Sequence, residues 1–153
     1  MSTPNTRLRL VYVDPQVFDP QVFGGDALTV TQAQLERIIE CTVQAAVAKD
    51  GDIDPENLSL YIGPGSTAGR YRLTGEIDMR PNSSLWEFVH TLVHELRHRG
   101  QHVRGESPED YISYDGTNMA EHRAQPCEVD ADEFGEWLCG YELYDIIEEY
   151  EDE

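Results

Sequence analysis

The sequence has almost no lysine. Lys49 is the only one, and ten arginines bring the basic total to 11 against 30 acidic residues, which gives a formal net charge of −19. Because a surface of this sign repels phosphates, the composition disfavours nucleic-acid binding. It indicates instead a protein suited to high salt or to a cationic partner, and both readings stay open.

Long apolar runs and paired cysteines are also missing. No stretch approaches the roughly 18 consecutive apolar residues of a membrane-spanning helix, and the N-terminal segment has no apolar signal core. We therefore expect a cytoplasmic protein that does not associate with membranes. Cys41, Cys127 and Cys139 form no CxxC pair, so we expect free buried thiols.

Hydrophobic periodicity predicts the element order β, α, β, β, α, α. The 153 residues suit one domain, which we expect to span 1–147, with 148–153 as a frayed acidic tail. The patterns predict a strand over 8–13 and an amphipathic helix over 31–48. They also predict strands over 58–62 and 71–79, joined by a glycine-rich loop over 63–69. Oligomeric state is not readable from the chain.

A further helix is predicted to begin at Ser84. Ser84 and Glu87 have the spacing of a capping box, and Gly100 stands where a glycine would end the helix. Between them, apolar residues recur with helical spacing and predict one buried face: Leu85, Phe88, Val89, Leu92, Val93 and Leu96.

This helix carries the motif HExxH, formed by His94, Glu95 and His98. Residues four apart lie on one face of a helix, so both imidazoles can bind one Zn²⁺ while the adjacent carboxylate is held near the metal's open position. The bare pattern also arises by chance in a glutamate-rich chain. Residues elsewhere in the chain must therefore support it.

The support comes from a second predicted helix, which begins with Pro126 at its first position. Glu128 and Asp132 are four residues apart and share one face of it. Ala131 and Gly135 lie on the same face, and such small residues would let this helix approach the first one closely. Glu128 could then reach the metal.

HExxH followed by ExxxD on a later helix resembles the gluzincin metallopeptidases, especially minimal single-domain forms such as the short HExxH proteins of phages and mobile elements. The resemblance covers about residues 83–139. It implies that Zn²⁺ is bound by His94, His98 and Glu128. It also implies that Asp132 supports His94, in keeping with the general need of a ligand histidine for an acceptor at its other ring nitrogen.

The resemblance further implies an α+β, zincin-like fold, with a small, mostly antiparallel sheet, an active-site helix carrying HExxH and a following glutamate helix. The implied function is a zinc metallopeptidase acting on peptide or protein substrates. A metal-activated water would attack the peptide bond, and Glu95 would act as general base. Residues 71–79 would hold extended substrate by β-addition, or would form an ordinary internal strand.

A donor that stabilises the transition state is still required, and Tyr111, Tyr114 and His122 in the irregular loop 103–126 are the candidates. The sequence does not rank them. His122 could instead be the third ligand, or a plain surface histidine. The loop suits a lid and a simple surface connection equally well.

Other readings also stay open. Glu128 could be an ordinary acidic residue of a first helical turn, and Asp132 a solvated neighbour in an acid-rich chain. His90 and His102 extend the four-residue ladder, but we expect both to be non-ligand residues. The alternative function is a non-catalytic binding or regulatory protein on the same fold, including one encoded by a virus or mobile element. An intact Glu95 argues against it, because a purely structural site needs no general base.

Overall fold

The structure is a computed structural model that describes residues 7–64, 69–108 and 111–151. Over these ranges the chain forms an α+β fold with one mixed four-stranded sheet. The strands are β1 (Leu10–Val13), β2 (Ser59–Ile62), β3 (Gly69–Arg72) and β4 (Glu76–Met79). The helices are α1 (Pro20–Phe23), α2 (Gln32–Lys49), α3 (Leu85–Val103), α4 (Met119–Arg123), α5 (Pro126–Gly140) and α6 (Tyr144–Glu151). None of the helices in the described ranges combines the length and apolar character that a bilayer crossing requires.

The strand order is β1-β2-β4-β3, and two of its three pairings are parallel. The expectation of a mostly antiparallel sheet is therefore wrong. β1 and β2 are parallel because α2 crosses between them, and such a crossover returns the chain in the same direction. β4 lies parallel to β2 because the strand between them in sequence, β3, takes the outer position. Only β3 and β4 form an antiparallel hairpin.

The single strand predicted over 71–79 is in fact this hairpin. A turn at 73–75 separates β3 from β4, and Gly75 in it has a φ of +92°, which favours glycine. Tyr71 pairs with Ile77 and Gly69 with Met79, so residues on both sides of the turn keep the same parity and the same sheet face. A period of two therefore could not distinguish one long strand from a hairpin. Residues 65–68 of the predicted glycine-rich loop lie outside the described ranges.

Both long helices begin where the sequence predicts. Thr31 Oγ1 accepts a hydrogen bond from the Gln34 amide, and Gln34 Oε1 accepts one from the Thr31 amide, so α2 has a complete capping box. At α3, Ser84 Oγ accepts a hydrogen bond from the Glu87 amide. The Glu87 carboxylate, however, accepts a hydrogen bond from the Asn82 side chain rather than from the Ser84 amide. The predicted capping box at Ser84 is therefore half formed.

α3 lies at the centre of the fold and buries the predicted apolar face. It packs against α2, α5 and β3. Each residue of that face is at most 2 % exposed: Leu85, Phe88, Val89, Leu92, Val93 and Leu96. Since full burial of one large apolar side chain contributes about 1.5–3 kcal/mol, this face holds the helix firmly in the core.

α3 continues past Gly100 to Val103, so the prediction that Gly100 ends the helix is wrong. A Cβ added at Gly100 would lie 2.2 Å from Oδ2 of Asp50. The glycine makes room for this carboxylate. Its role is close packing and not helix termination.

α5 begins at Pro126 and lies close along α3, as predicted. Ala131 is fully buried, and a Cβ at Gly135 would lie 3.0 Å from the ring of His90. The small residues therefore permit the close approach that the sequence predicts.

Residues 148–151 belong to α6 and do not form the frayed tail expected from the acidic run. Ile147 is buried, Tyr150 packs against the core, and Ser84 Oγ lies 3.4 Å from Glu151 Oε1. Residues 152 and 153 of the predicted tail lie outside the described ranges.

Candidate metal centre

The two histidines of HExxH face each other on α3. Nε2 of His94 lies 3.0 Å from Nε2 of His98, and the ring planes are nearly perpendicular, at 85°. Both side chains are mostly buried, with 16 % and 13 % of their surface exposed. The helical spacing thus brings two potential ligand nitrogens to one point.

Glu128 reaches the same point from the first turn of α5. Its Oε2 lies 2.9 Å from His94 Nε2, and its Oε1 lies 3.1 Å from His98 Nε2. The residue is 2 % exposed. The structure therefore brings together all three residues that the sequence predicts as ligands.

Glu95 lies beside this triangle but farther from it. Its Oε1 is 3.9 Å from His94 Nε2, and one ligand atom from each of His94, Glu95 and His98 lies within 4.8 Å of the others. Because Glu128 contacts both histidines at about 3 Å, it fits the third-ligand position better than Glu95 does. Glu95 therefore lies next to the triangle and not in it.

Strand β3 passes directly over Glu95. The Tyr71 amide donates a hydrogen bond to the Glu95 carboxylate, and a Cβ at Gly69 would lie 3.3 Å from Glu95 Cγ. Glu95 is 6 % exposed, and this burial raises the pKa of its carboxyl group. Glu95 is therefore held in place between α3 and the sheet.

His94 and His98 each have an acceptor at the other ring nitrogen, Nδ1. His94 Nδ1 lies 2.7 Å from Oδ1 of Asp132, and His98 Nδ1 lies 2.9 Å from Oε1 of Gln101. An ionised carboxylate and an amide oxygen only accept, so both Nδ1 atoms donate. In the neutral rings the lone pairs are then on Nε2, pointing at each other and at Glu128.

The electrostatics of the triangle favour a cation. Desolvation alone would lower the pKa of His94, but hydrogen bonds to Asp132 and Glu128, with the charge of Glu95, raise it to about 10. Desolvation would likewise raise the pKa of Glu128, yet hydrogen bonds from His94 and His98 bring it well below its usual range. The site is thus arranged to hold positive charge against an ionised Glu128.

Two of the three predicted transition-state donors lie at the site. The Tyr111 hydroxyl donates a hydrogen bond to Glu128 Oε1, and its ring centroid lies 6.5 Å from that of His98. His122 Nε2 lies 3.6 Å from Glu128 Oε1, while its Nδ1 donates to the Ile112 carbonyl at 2.8 Å. Burial and the contact with Glu128 raise the pKa of Tyr111. Its hydroxyl therefore stays protonated at neutral pH.

Tyr114 lies at the outer edge of this group. Its ring centroid is 6.1 Å from that of His122, and the side chain is 45 % exposed. The structure thus separates the three candidates that the sequence could not rank.

His90 and His102 have contacts elsewhere, as expected for non-ligand residues. The His90 ring stacks on Trp86 with centroids 4.9 Å apart, and burial lowers its pKa. His102 Nδ1 lies 2.8 Å from the Tyr71 hydroxyl. The three cysteines are free thiols, but only Cys139 is buried; the expectation of burial is wrong for Cys41 and Cys127, which are partly exposed.

Sequence reasoning missed the support of His98. Gln101 lies three residues after His98 and so shares its helix face, a signal that was readable. Asp130, which accepts from Gln101, and Arg97, which donates to Asp130, carry no comparable signal. Their contact joins two helices that the sequence places about 30 residues apart.

The strand predicted to hold substrate also needs correction. β4 lies between β2 and β3, so residues 76–79 form an internal strand. β3 is one of the two outer strands and lies along α3 beside Glu95. Any strand addition next to the site would therefore use β3.

The chain matches no protein-family profile, no curated protein and no solved structure.

Proposed function

We propose that this protein is a zinc-dependent metallopeptidase with a gluzincin-like arrangement on a zincin-like fold. One observation carries the proposal. Three groups converge within 3.1 Å of one another: Nε2 of His94, Nε2 of His98 and the carboxylate of Glu128. The carboxylate of Glu95 lies beside them and is not part of this group.

The donor set fits zinc. Two imidazole nitrogens and one carboxylate are the ligands of many catalytic zinc sites, and three protein ligands leave a position open. Without a metal, hydrogen bonds to Asp132 and Glu128 outweigh desolvation and raise the pKa of His94, so a proton faces the ionised carboxylate. A metal cation would take the place of that proton. A bound Zn²⁺ would supply Lewis acidity, which acidifies water and polarises a carbonyl group.

Glu95 is suited to proton transfer at this site. Burial raises the pKa of the Glu95 carboxyl group towards neutral pH. A general base whose pKa lies near the working pH accepts and returns a proton most effectively. The Tyr71 amide and the packing of β3 hold Glu95 in one position. It would take a proton from the attacking water and pass it to the leaving amine.

Tyr111 and His122 are the candidate donors to the developing oxyanion. Both lie at Glu128, and the Tyr111 hydroxyl stays protonated at neutral pH. The Tyr111 hydroxyl could turn from Glu128 to a substrate oxygen, whereas His122, whose Nδ1 already donates to the Ile112 carbonyl, could donate from Nε2 only as an imidazolium. A hydrogen-bond donor to a developing oxyanion typically raises turnover by roughly 10²–10³-fold.

The substrate would be a peptide or protein segment in extended form. β3 is the outer strand beside Glu95, and strand addition there would bring a peptide bond next to the site. The gluzincin resemblance favours the same placement.

One contact favours the alternative, a non-catalytic binding or regulatory protein. Tyr111 donates to Glu128 from the segment that follows α3, and so covers part of the site. If that segment stayed closed, the site could hold metal without admitting a peptide.

The test combines metal content with hydrolysis. We expect one zinc per chain in the purified wild type and loss of zinc in His94→Ala and His98→Ala. Glu95→Gln should keep zinc and fold but lose peptide hydrolysis by at least about 10²-fold. Glu87→Gln is the matched control, because Glu87 is exposed on the same helix.

Two outcomes would count against the proposal. Unchanged zinc in both histidine variants would place the metal elsewhere. Zinc-loaded wild type that cleaves no member of a broad peptide library would favour the binding protein.

A further inference from the structure

A buried amide supports one side of the metal centre. Gln101 is 4 % exposed and lies on α3. Its Oε1 is 2.9 Å from Nδ1 of His98, while its Nε2 donates to Asp130 Oδ2 at 2.8 Å and to the Cys127 carbonyl at 3.0 Å. Every polar atom of this side chain is therefore in use.

These contacts determine which way the amide points. Both groups near Nε2 are acceptors, so exchanging the amide oxygen and nitrogen would set an oxygen against a carboxylate and a carbonyl, at the cost of both hydrogen bonds. Oε1 must then face His98. Since Oε1 only accepts, the proton on the His98 ring lies on Nδ1 and leaves Nε2 free in the neutral ring.

The amide is itself anchored through a partly buried ion-pair network. Arg97 donates to both oxygens of Asp130, at 2.7 and 3.2 Å, and to Asp50 at 3.0 Å. Asp50 is 4 % exposed and also accepts from Arg104 at 2.6 Å. The Arg97 guanidinium lies over the ring of Phe134, 4.5 Å from its centroid. Two-point contacts of this kind fix direction as well as distance.

We propose that Gln101 is the positioning residue of the metal centre, held by Asp130 and Arg97, and that it keeps His98 in the tautomer whose Nε2 binds the metal. This inference rests on the proposed function. It also distinguishes the two ligands, because His94 is supported by the carboxylate of Asp132 and His98 by a neutral amide.

The first test is Gln101→Met, which keeps the length of the side chain and removes the hydrogen bonds. Zinc affinity, measured by competition with a chromophoric chelator, should fall about 10- to 100-fold, the usual effect of losing such a partner. Thermal unfolding of the metal-free variant shows whether the chain still folds. Gln44→Met is the matched control, since Gln44 is exposed on α2, and it should bind zinc as the wild type does.

The second test asks for rescue. Gln101→Glu keeps an acceptor for His98 but faces the carboxylate of Asp130. Adding Asp130→Asn restores a donor opposite that acceptor. The double variant should therefore bind zinc more tightly than Gln101→Glu alone, a coupling that general destabilisation would not produce.

A spectroscopic measurement on the wild type does not depend on how any variant folds. The protein is loaded with an NMR-active cadmium isotope in place of zinc and labelled with an NMR-active nitrogen isotope. The cadmium nucleus should then show scalar coupling to Nε2 of His98. Coupling through Nδ1 would overturn the inference. So would a folded Gln101→Met variant with wild-type zinc affinity.

These outcomes are distinct from failure of the proposed function. A wild type without zinc, or one whose zinc survives His94→Ala, removes the metal centre itself. Zinc binding that depends on His94 and not on Gln101 overturns this inference alone.

Discussion

Oδ2 of Asp50 lies only 2.2 Å from the position that a Cβ atom would take at Gly100. Asp50 is buried, and Arg97 and Arg104 both donate to it. Gly100 is therefore part of a joint between the turn after α2 and the last turns of α3. The joint is continuous with the hydrogen bonds that support His98.

Replacing Gly100 by alanine should destabilise the fold by about 1–3 kcal/mol, because the methyl group would displace Asp50 from its arginines. The matched control is Gly140→Ala, since a Cβ there meets no atom within 4 Å. That variant should be as stable as the wild type or slightly more stable. Urea unfolding measures both, and equal stability of the two variants would contradict the packing argument.

The proposed third ligand can be tested by comparing Glu128 and His122, which both lie at the candidate metal centre. Glu128→Gln should lower zinc affinity by more than the roughly 10–100-fold that loss of a supporting hydrogen bond costs. His122→Ala should retain zinc and at most slow hydrolysis. Glu133→Gln, exposed on the same helix as Glu128, is the control. The reverse pattern would make His122 the ligand and remove the gluzincin arrangement.

Tyr111 and Tyr114 form a natural pair for locating the oxyanion donor. Tyr111→Phe should keep zinc and lower kcat by about 10²–10³-fold, because the hydroxyl next to Glu128 is lost. Tyr114→Phe should change kcat little, because the ring of Tyr114 contacts that of His122, with centroids 6.1 Å apart, rather than the Glu128 carboxylate. Steady-state kinetics on one peptide decides between them. If the two tyrosine variants changed kcat to the same extent, His122 would be the donor instead.

Cys139 should be inert in the folded protein. It is fully buried, and burial raises its pKa to about 12. At pH 8 only about one thiol in 10⁴ would then be the reactive thiolate. In a variant with Cys41→Ser and Cys127→Ser, a disulfide reagent should react slowly at pH 8, faster as the pH rises towards 12, and completely in denaturant. Rapid reaction of the folded variant at pH 8 would show that Cys139 is accessible.

The sequence predicts the part of the site that local spacing determines. His94 and His98 share a face because residues four apart on a helix always do, and the same rule aligns Glu128 with Asp132. The small residues Ala131 and Gly135 indicated how the two helices meet. These relationships need only helix geometry, so they were readable before any fold was known.

The rest depends on contacts between distant segments. The parity of β3 and β4 is the same in a hairpin as in one strand, so periodicity could not reveal the turn at Gly75. The role of Gly100 depends on Asp50, which lies 50 residues earlier in the chain. Gln101 needed Asp130 to fix the direction of its amide. Such relationships arise only when the chain packs.

The ion pairs of the arginines on and just after α3 affect how the charge of the whole molecule is distributed. Arg97, Arg99 and Arg104 are bound to acidic partners around α3, in a chain that holds 19 more carboxylates than basic groups. The folded protein therefore behaves as a compact polyanion with a dense counterion atmosphere. Moderate salt should raise its thermal midpoint by screening repulsion between carboxylates, while the buried joint is screened little. A midpoint that falls steadily with added sodium chloride would mean that attraction between exposed charges, and not their repulsion, dominates the stability of this fold.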